Sequence, residues 1–208
     1  MIAVADFQAP GSMMWSREGL IGYLYGTGAE VAEVDGRKQA RPLSVSHLKG
    51  SSAFPAGLFA NDRHGELSAV IFSNACSLGK FNRVAITTLG VPKGLRYMRI
   101  GRFFDRTPGA LEGIPFCLDV KSDDYKRLWP GEREPWSAEL EVFHNPFARH
   151  PVAFDLLPEA THWFDQDGEM ICSTIYEHSI LWSRTMILND DDRIPTLQDF
   201  MAEADPEV

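Results

Sequence analysis

The chain begins with a strand that is apolar on both faces. Ile2-Ala3-Val4-Ala5 places apolar side chains at four consecutive positions, a pattern typical of a strand buried in the middle of a sheet. A chain terminus is normally solvated, so a buried strand at residue 1 needs cover from later in the chain or from sequence that precedes Met1. We favour the second explanation, in which residue 1 is a truncation or an internal start.

Two strand–helix units occupy the N-terminal half of the sequence. Ile2–Ala5 is followed by a helical pattern that ends near Gly26, and the apolar run Leu67–Phe72 is followed by a helix around residues 77–84. Strands that are each followed by a helix favour parallel pairing. From Leu95 onward, short extended segments separated by turns indicate antiparallel strands. The sequence therefore predicts an α+β fold with a mixed sheet.

Length and charge suggest one domain and an acidic tail. A chain of 208 residues with 44% hydrophobic and 24% charged composition fits a single soluble domain, which we place at residues 1–188. Residues 189–208 carry seven acidic side chains and one arginine, so we expect a weakly ordered tail.

No apolar run approaches the roughly 20 residues that cross a bilayer, which predicts a cytoplasmic protein with no membrane partner.

The segment from Lys80 to Arg106 is strongly basic, with seven cationic side chains and one acidic one. Such local density suits contacts with phosphate groups, so nucleic acid is the predicted partner. The alternative is a solvated charged face. Strand alternation places Arg96 and Arg102 on one face and Arg99 on the other, which splits the patch.

Ligands of open sheets gather where the carboxyl ends of parallel strands meet the starts of helices. At that place the second strand–helix unit carries short polar residues and two cations, and free amides of a helix N-terminus can help to hold a phosphate. Alternatively, Ser73 and Asn74 only cap and turn the chain while Lys80 is solvated. The predicted anion-binding residues are Ser73, Asn74, Lys80, Arg83, Arg96, Arg99 and Arg102.

Catalytic motifs are scarce. The sequence contains no GxSxG elbow, no GxGxxG and no Walker-type loop. His144-Asn145-Pro146 closes a predicted strand. The nearby histidines match no zinc spacing. A turn in which the histidine hydrogen-bonds to the backbone is therefore a simpler interpretation than a metal site. Asp6, Asn74 and His144 are the weak catalytic candidates. We predict no metal site and no cofactor in this chain.

Several segments share their order with known proteins. They are IAVADFQAPGSMMWSREGLIGYLYG, LSAVIFSNACSLGKFNRVA, PFCLDV, ELEVFHNPFARHPV and ILWSRTMI. Together they resemble the C-terminal part of a family of uncharacterised bacterial proteins. The resemblance implies an upstream region that is restriction-endonuclease-like, whose sheet the first strand would extend. Any magnesium site would then belong to that absent region.

Three functions follow from these patterns. The first is the C-terminal portion of a bacterial nuclease-like or nucleic-acid-associated protein that is not catalytic alone. The second is a small hydrolase of an anionic small molecule, with Asp6, Asn74, Lys80 and His144 in one pocket. The third is a non-catalytic interaction module, in which an exposed strand edge self-associates or takes up a partner.

Overall fold

The computed structural model describes residues 1–5, 12–47, 54–73, 77–90, 92–166 and 169–196, with the side chains of residues 12–16 left out. The described fold is α+β with a mixed sheet, as predicted. Its helices and strands are β1 (Ile2–Ala5), α1 (Ser12–Tyr25), β2 (Thr27–Val34), β3 (Arg37–Ser44), β4 (Ala69–Ser73), α2 (Leu78–Leu89), β5 (Leu95–Phe103), β6 (Ile114–Asp119), α3 (Asp123–Lys126), β7 (Leu140–His144), β8 (Thr161–Gln166), β9 (Glu169–Ser173) and β10 (Ile180–Asn189).

The contacts of the chain group into two compact units. The first unit comprises Met1–Asn74, Arg106–Leu111 and Glu139–Ile175, and the second comprises the remaining segments. Most of the predicted acidic tail, residues 197–208, lies outside the described residues. Within the described ranges, none of the helices has the length and apolar character needed to span a bilayer.

The first unit is built on a five-stranded sheet in the order β1-β4-β7-β8-β9. β1 pairs with β4 in parallel, and β7 pairs with β8 in parallel, while the other two pairs are antiparallel. The two strands that precede helices α1 and α2 are therefore parallel neighbours, which confirms that prediction. β2 and β3 form a separate hairpin around Asp35-Gly36, both of which have positive φ, as a tight two-residue turn requires.

Side chains on both faces of the central strands are buried. Val70, Phe72 and Phe143 cluster with Leu24 at the end of α1 on one face. On the other face a smaller cluster contains Ala69, Val142 and Ala160. The alternation along β4 and β7 thus supplies two apolar layers, which is why β4 has apolar residues at four consecutive positions.

A buried ion pair fastens α1 to the sheet of the first unit. The Arg17 guanidinium contacts Glu141 of β7, with 2.7 Å between Nε and Oε2 and 2.6 Å between Nη2 and Oε1. Trp163 of β8 donates its indole N–H to Oε2 of the same carboxylate at 2.7 Å. Glu141 lies on the same face as Phe143, since alternate strand residues share a face, and its buried charge is therefore balanced.

The second unit contains a three-stranded antiparallel sheet in the order β10-β5-β6. Helix α2 begins after Ser77, whose side chain accepts a hydrogen bond from the Lys80 N–H, and helix α3 begins in the same way after Ser122. An aromatic-rich cluster of Tyr97, Tyr125 and Trp129 with Val120 and Ile86 forms the core.

Candidate functional site

The open side of β1 is the first candidate site, and it corrects a prediction. β1 lies at the edge of its sheet rather than in the middle, and among the described strands it pairs only with β4. Ile2 and Val4 continue the row formed by Val70 and Phe72, because partners in a parallel register share a face. Both side chains are nevertheless exposed. Apolar character on both faces of a strand therefore did not indicate burial here.

The second candidate site is a buried ionic cluster around Glu134. Three cationic side chains from two elements contact this one carboxylate. Lys80 Nζ and Arg83 Nη2 of helix α2 each lie 2.9 Å from Oε1, and Arg99 Nη1 of β5 lies 3.6 Å from it. Tyr125 of α3 donates its hydroxyl hydrogen to Oε2. We call these five residues the Glu134 cluster, and all of them are buried.

The cations of the Glu134 cluster are also bonded to neutral groups. Lys80 Nζ donates to the carbonyl oxygens of Pro135 and Ala138 at 2.9 and 3.1 Å. An ammonium has three donor hydrogens, so these two bonds and Glu134 use all of them. Arg83 Nη1 donates to Thr185 Oγ1 at 2.6 Å, and Arg99 Nε donates to Ser183 Oγ at 2.9 Å. The cluster therefore ties α2, β5 and β10 together.

The charges determine the ionisation of the cluster. Burial alone would raise the pKa of Glu134, but Arg99, Arg83 and Lys80 outweigh it and hold the pKa at about 2. The Tyr125 pKa is raised, chiefly by burial. Trp129 lies beside two of the cations, with its ring centroid 5.9 Å from Lys80 Nζ and 5.7 Å from Arg99 Cζ. At neutral pH the carboxylate is charged and Tyr125 keeps its proton.

Most of the predicted anion-binding residues that the structure describes are buried and do not form a surface patch. Lys80, Arg83 and Arg99 belong to the Glu134 cluster, and Ser73 is buried at the end of β4. A polynucleotide contacts side chains at a surface, so these buried groups do not offer it a binding face. Asn74 lies outside the described residues. The remaining two are bonded to other groups of the chain: Arg96 Nη2 donates to Asp192 O at 2.6 Å, and Arg102 Nη1 pairs with Glu112 Oε2 at 3.0 Å.

Two of the histidines converge in the first unit. His144 Nε2 at the end of β7 lies 2.8 Å from His162 Nδ1 in β8, and His162 Nε2 lies 3.0 Å from Leu157 O. A carbonyl oxygen only accepts, so His162 carries its proton on Nε2, and His144 donates to His162. The Phe154 ring stacks on His144 with 4.7 Å between centroids. Burial, with a smaller effect from His162, lowers the pKa of His144 to about 4.

Of the four residues of the predicted hydrolase pocket, Lys80 and His144 are among the described residues. Asp6 and Asn74 lie outside them. His144 belongs to the first unit and Lys80 to the second, and the donors of Lys80 are already used. Among the side chains that the structure describes, no group of three histidines, cysteines or carboxylates is placed to hold a metal ion.

Sequence reasoning missed Glu134 and Glu141. Glu134 lies in a stretch without periodicity, so nothing in its surroundings marked it. Glu141 did carry a signal, because the alternation of β7 places it on the same face as Phe143. A carboxylate on an apolar face requires a buried partner.

Comparisons of the chain with protein-family models, with curated proteins and with solved structures found no match.

Replacing Glu134 tests whether the Glu134 cluster is structural. Glu134→Gln leaves three buried cations without the carboxylate they contact, so we expect a loss of about 3–5 kcal/mol in the free energy of unfolding. Chemical denaturation followed by circular dichroism measures this loss. The exposed neighbour is the matched control, and Glu132→Gln should change stability by less than about 0.5 kcal/mol. Equal stability of the two variants would contradict the structural role.

The histidine pair predicts a pH dependence of stability. His144 has a pKa of about 4 when folded, below its ordinary value of 6.5, so the unfolded chain binds the proton more tightly. The resulting stabilisation should be complete above about pH 6.5 and should disappear as the pH falls through about 4. Urea unfolding across this range checks it. His144→Gln should flatten the pH dependence, whereas replacing the exposed His150 with Gln should leave the histidine pair's contribution in place.

Proposed function

We propose that this chain is a non-catalytic protein-interaction module in which the open side of β1 takes up an extended strand from a partner. The observation that carries the proposal is the edge position of β1, together with its exposed apolar side chains. An edge strand presents unpaired backbone N–H and C=O groups on its free side. Strand addition satisfies those groups, while side chains on alternate positions provide specificity.

The side chains of β1 favour a protein partner. Ile2 and Val4 extend the apolar layer of Val70 and Phe72 onto β1, and Met1 is exposed beside them. No charged residue occurs in Ile2–Ala5. Natural edge strands usually carry charges, prolines or bulges that prevent pairing. A strand without such protection fits one that is paired when the protein works.

The sequence resemblance suggests one class of partner. A restriction-endonuclease-like region whose sheet is extended by β1 would supply a strand for its open side and any catalytic residues. Nucleic-acid association is part of that proposal, but three of the cations expected to support it are buried in the Glu134 cluster. Exposed cations of the basic segment, Lys93 and Arg106, fit it better.

Peptide selection tests the interaction module directly. Display selection on the folded protein should return extended peptides with alternating apolar residues, which bind along β1. Val4→Lys should weaken their binding about tenfold or more, because it places a charge in the apolar row. Val31→Lys is the matched control, since Val31 is an exposed valine of another strand. Fluorescence anisotropy gives the affinities.

Amide hydrogen exchange locates the bound peptide. We expect slower exchange in Ile2–Ala5 when the selected peptide is present. Protection at another place, or equal affinities of the Val4→Lys and unmodified proteins, would refute the proposed use of β1. A selection that returns no binder would refute it as well.

A further inference from the structure

Helix α2 buries two charged side chains and exposes a row of apolar ones on its opposite side, although Val84 and Ile86 are buried as well. Lys80 and Arg83 are buried in the Glu134 cluster, one turn apart on the helix. An α-helix has 3.6 residues per turn, so the residues on the opposite side must face away from the cluster. Those residues form what we call the α2 stripe: Leu78, Phe81, Ala85 and Leu89.

The α2 stripe is strongly exposed. The exposed fractions are 82% for Leu78, 57% for Phe81 and 83% for Leu89. Trp136, which is 59% exposed, extends the stripe from outside the helix, with 5.2 Å between its ring centroid and that of Phe81. Single exposed apolar residues are common, whereas a continuous row with two large aromatic rings marks an interaction surface.

We propose that the α2 stripe binds the same stripe of a second copy of this chain, forming a weak two-fold dimer. In a two-fold interface each surface meets its own copy, so any charge close to the axis meets a like charge. The chain has a net charge of -9, yet the α2 stripe contains no charged residue. It therefore offers two copies a face on which like charges do not meet.

The sequence of the stripe also suits antiparallel pairing of two α2 helices. Large side chains stand near both of its ends, at Leu78 and Leu89, and small Ala85 stands near large Phe81. Antiparallel pairing about a two-fold axis brings Leu78 opposite Leu89 of the second copy. It also brings Phe81 close to the small Ala85, so that large side chains meet small ones.

The available area predicts the strength of the dimer. Aromatic side chains bury roughly 150–250 Å² each, so Phe81 and Trp136 at their exposed fractions, together with Leu78 and Leu89, offer at most about 500 Å² per copy. The pair then buries at most about 1,000 Å², the lower limit for a specific interface. We therefore expect reversible association at micromolar or higher concentrations.

Sedimentation velocity over a concentration series tests the dimer. The unmodified chain should shift from monomer to dimer as concentration rises. Phe81→Glu and Trp136→Glu should each weaken association about tenfold or more, because each variant places a charge in the apolar interface. Ile114→Glu is the control: Ile114 is half exposed in the same unit but lies outside the stripe. It should dimerise like the unmodified chain.

The Leu78→Glu variant distinguishes a loss of the dimer from a loss of folding. An acidic residue in the first turn of a helix is favourable to the helix dipole, so this variant should fold with normal stability and still lose the dimer. A chain that stays monomeric at every concentration would overturn the proposal. So would a dimer that survives Phe81→Glu. Loss of association in Val4→Lys alone would instead assign self-association to β1.

Discussion

One buried carboxylate organises the second unit. Glu134 contacts Lys80, Arg83 and Arg99, and each of these cations reaches it from a fixed position on α2 or β5. Buried charges are costly unless they are paired and hydrogen-bonded. Helix α2 therefore has to turn its cationic side inward. The apolar residues on its opposite side are left exposed, so the ionic cluster and the exposed α2 stripe have the same cause.

The first unit also contains a buried carboxylate, but this one is paired with a single cation. Glu141 of β7 is balanced by Arg17 of α1 and accepts the indole N–H of Trp163. The pair fixes α1 on one face of the central strands, whereas Ile2 and Val4 of β1 remain exposed on that face. The open side of β1 is thus a boundary of the apolar layer, and it is there that we propose a partner strand binds.

Much of the local structure was predictable from the sequence. The change to extended segments was predicted to begin at Leu95, where β5 begins, and the strand predicted within Leu67–Phe72 is β4, Ala69–Ser73. Ser77 was expected at the start of α2, where it is the N-cap. These features depend on residues that are close in sequence, and for that reason a local pattern is enough.

The placement of charge was not predictable in the same way. Lys80 and Arg83 share one side of α2 and Leu78 and Phe81 share the other, but the pattern alone does not say which side faces inward. Glu134 decides this, and it lies 51 positions after Arg83. Likewise, the sequence of β1 indicates an apolar strand but not whether its neighbours come from the same chain. For the candidate sites, residue types were informative and long-range partners were not.

The ionisation of Glu134 is the most direct measure of the cluster on which this account depends. The carboxyl carbon of Glu134, followed by NMR as the pH is lowered, reports its protonation without altering the protein. With Arg99, Arg83 and Lys80 in contact, the midpoint should lie at about 2. A midpoint at or above the ordinary glutamate value of 4.5 would show that the cations do not surround it.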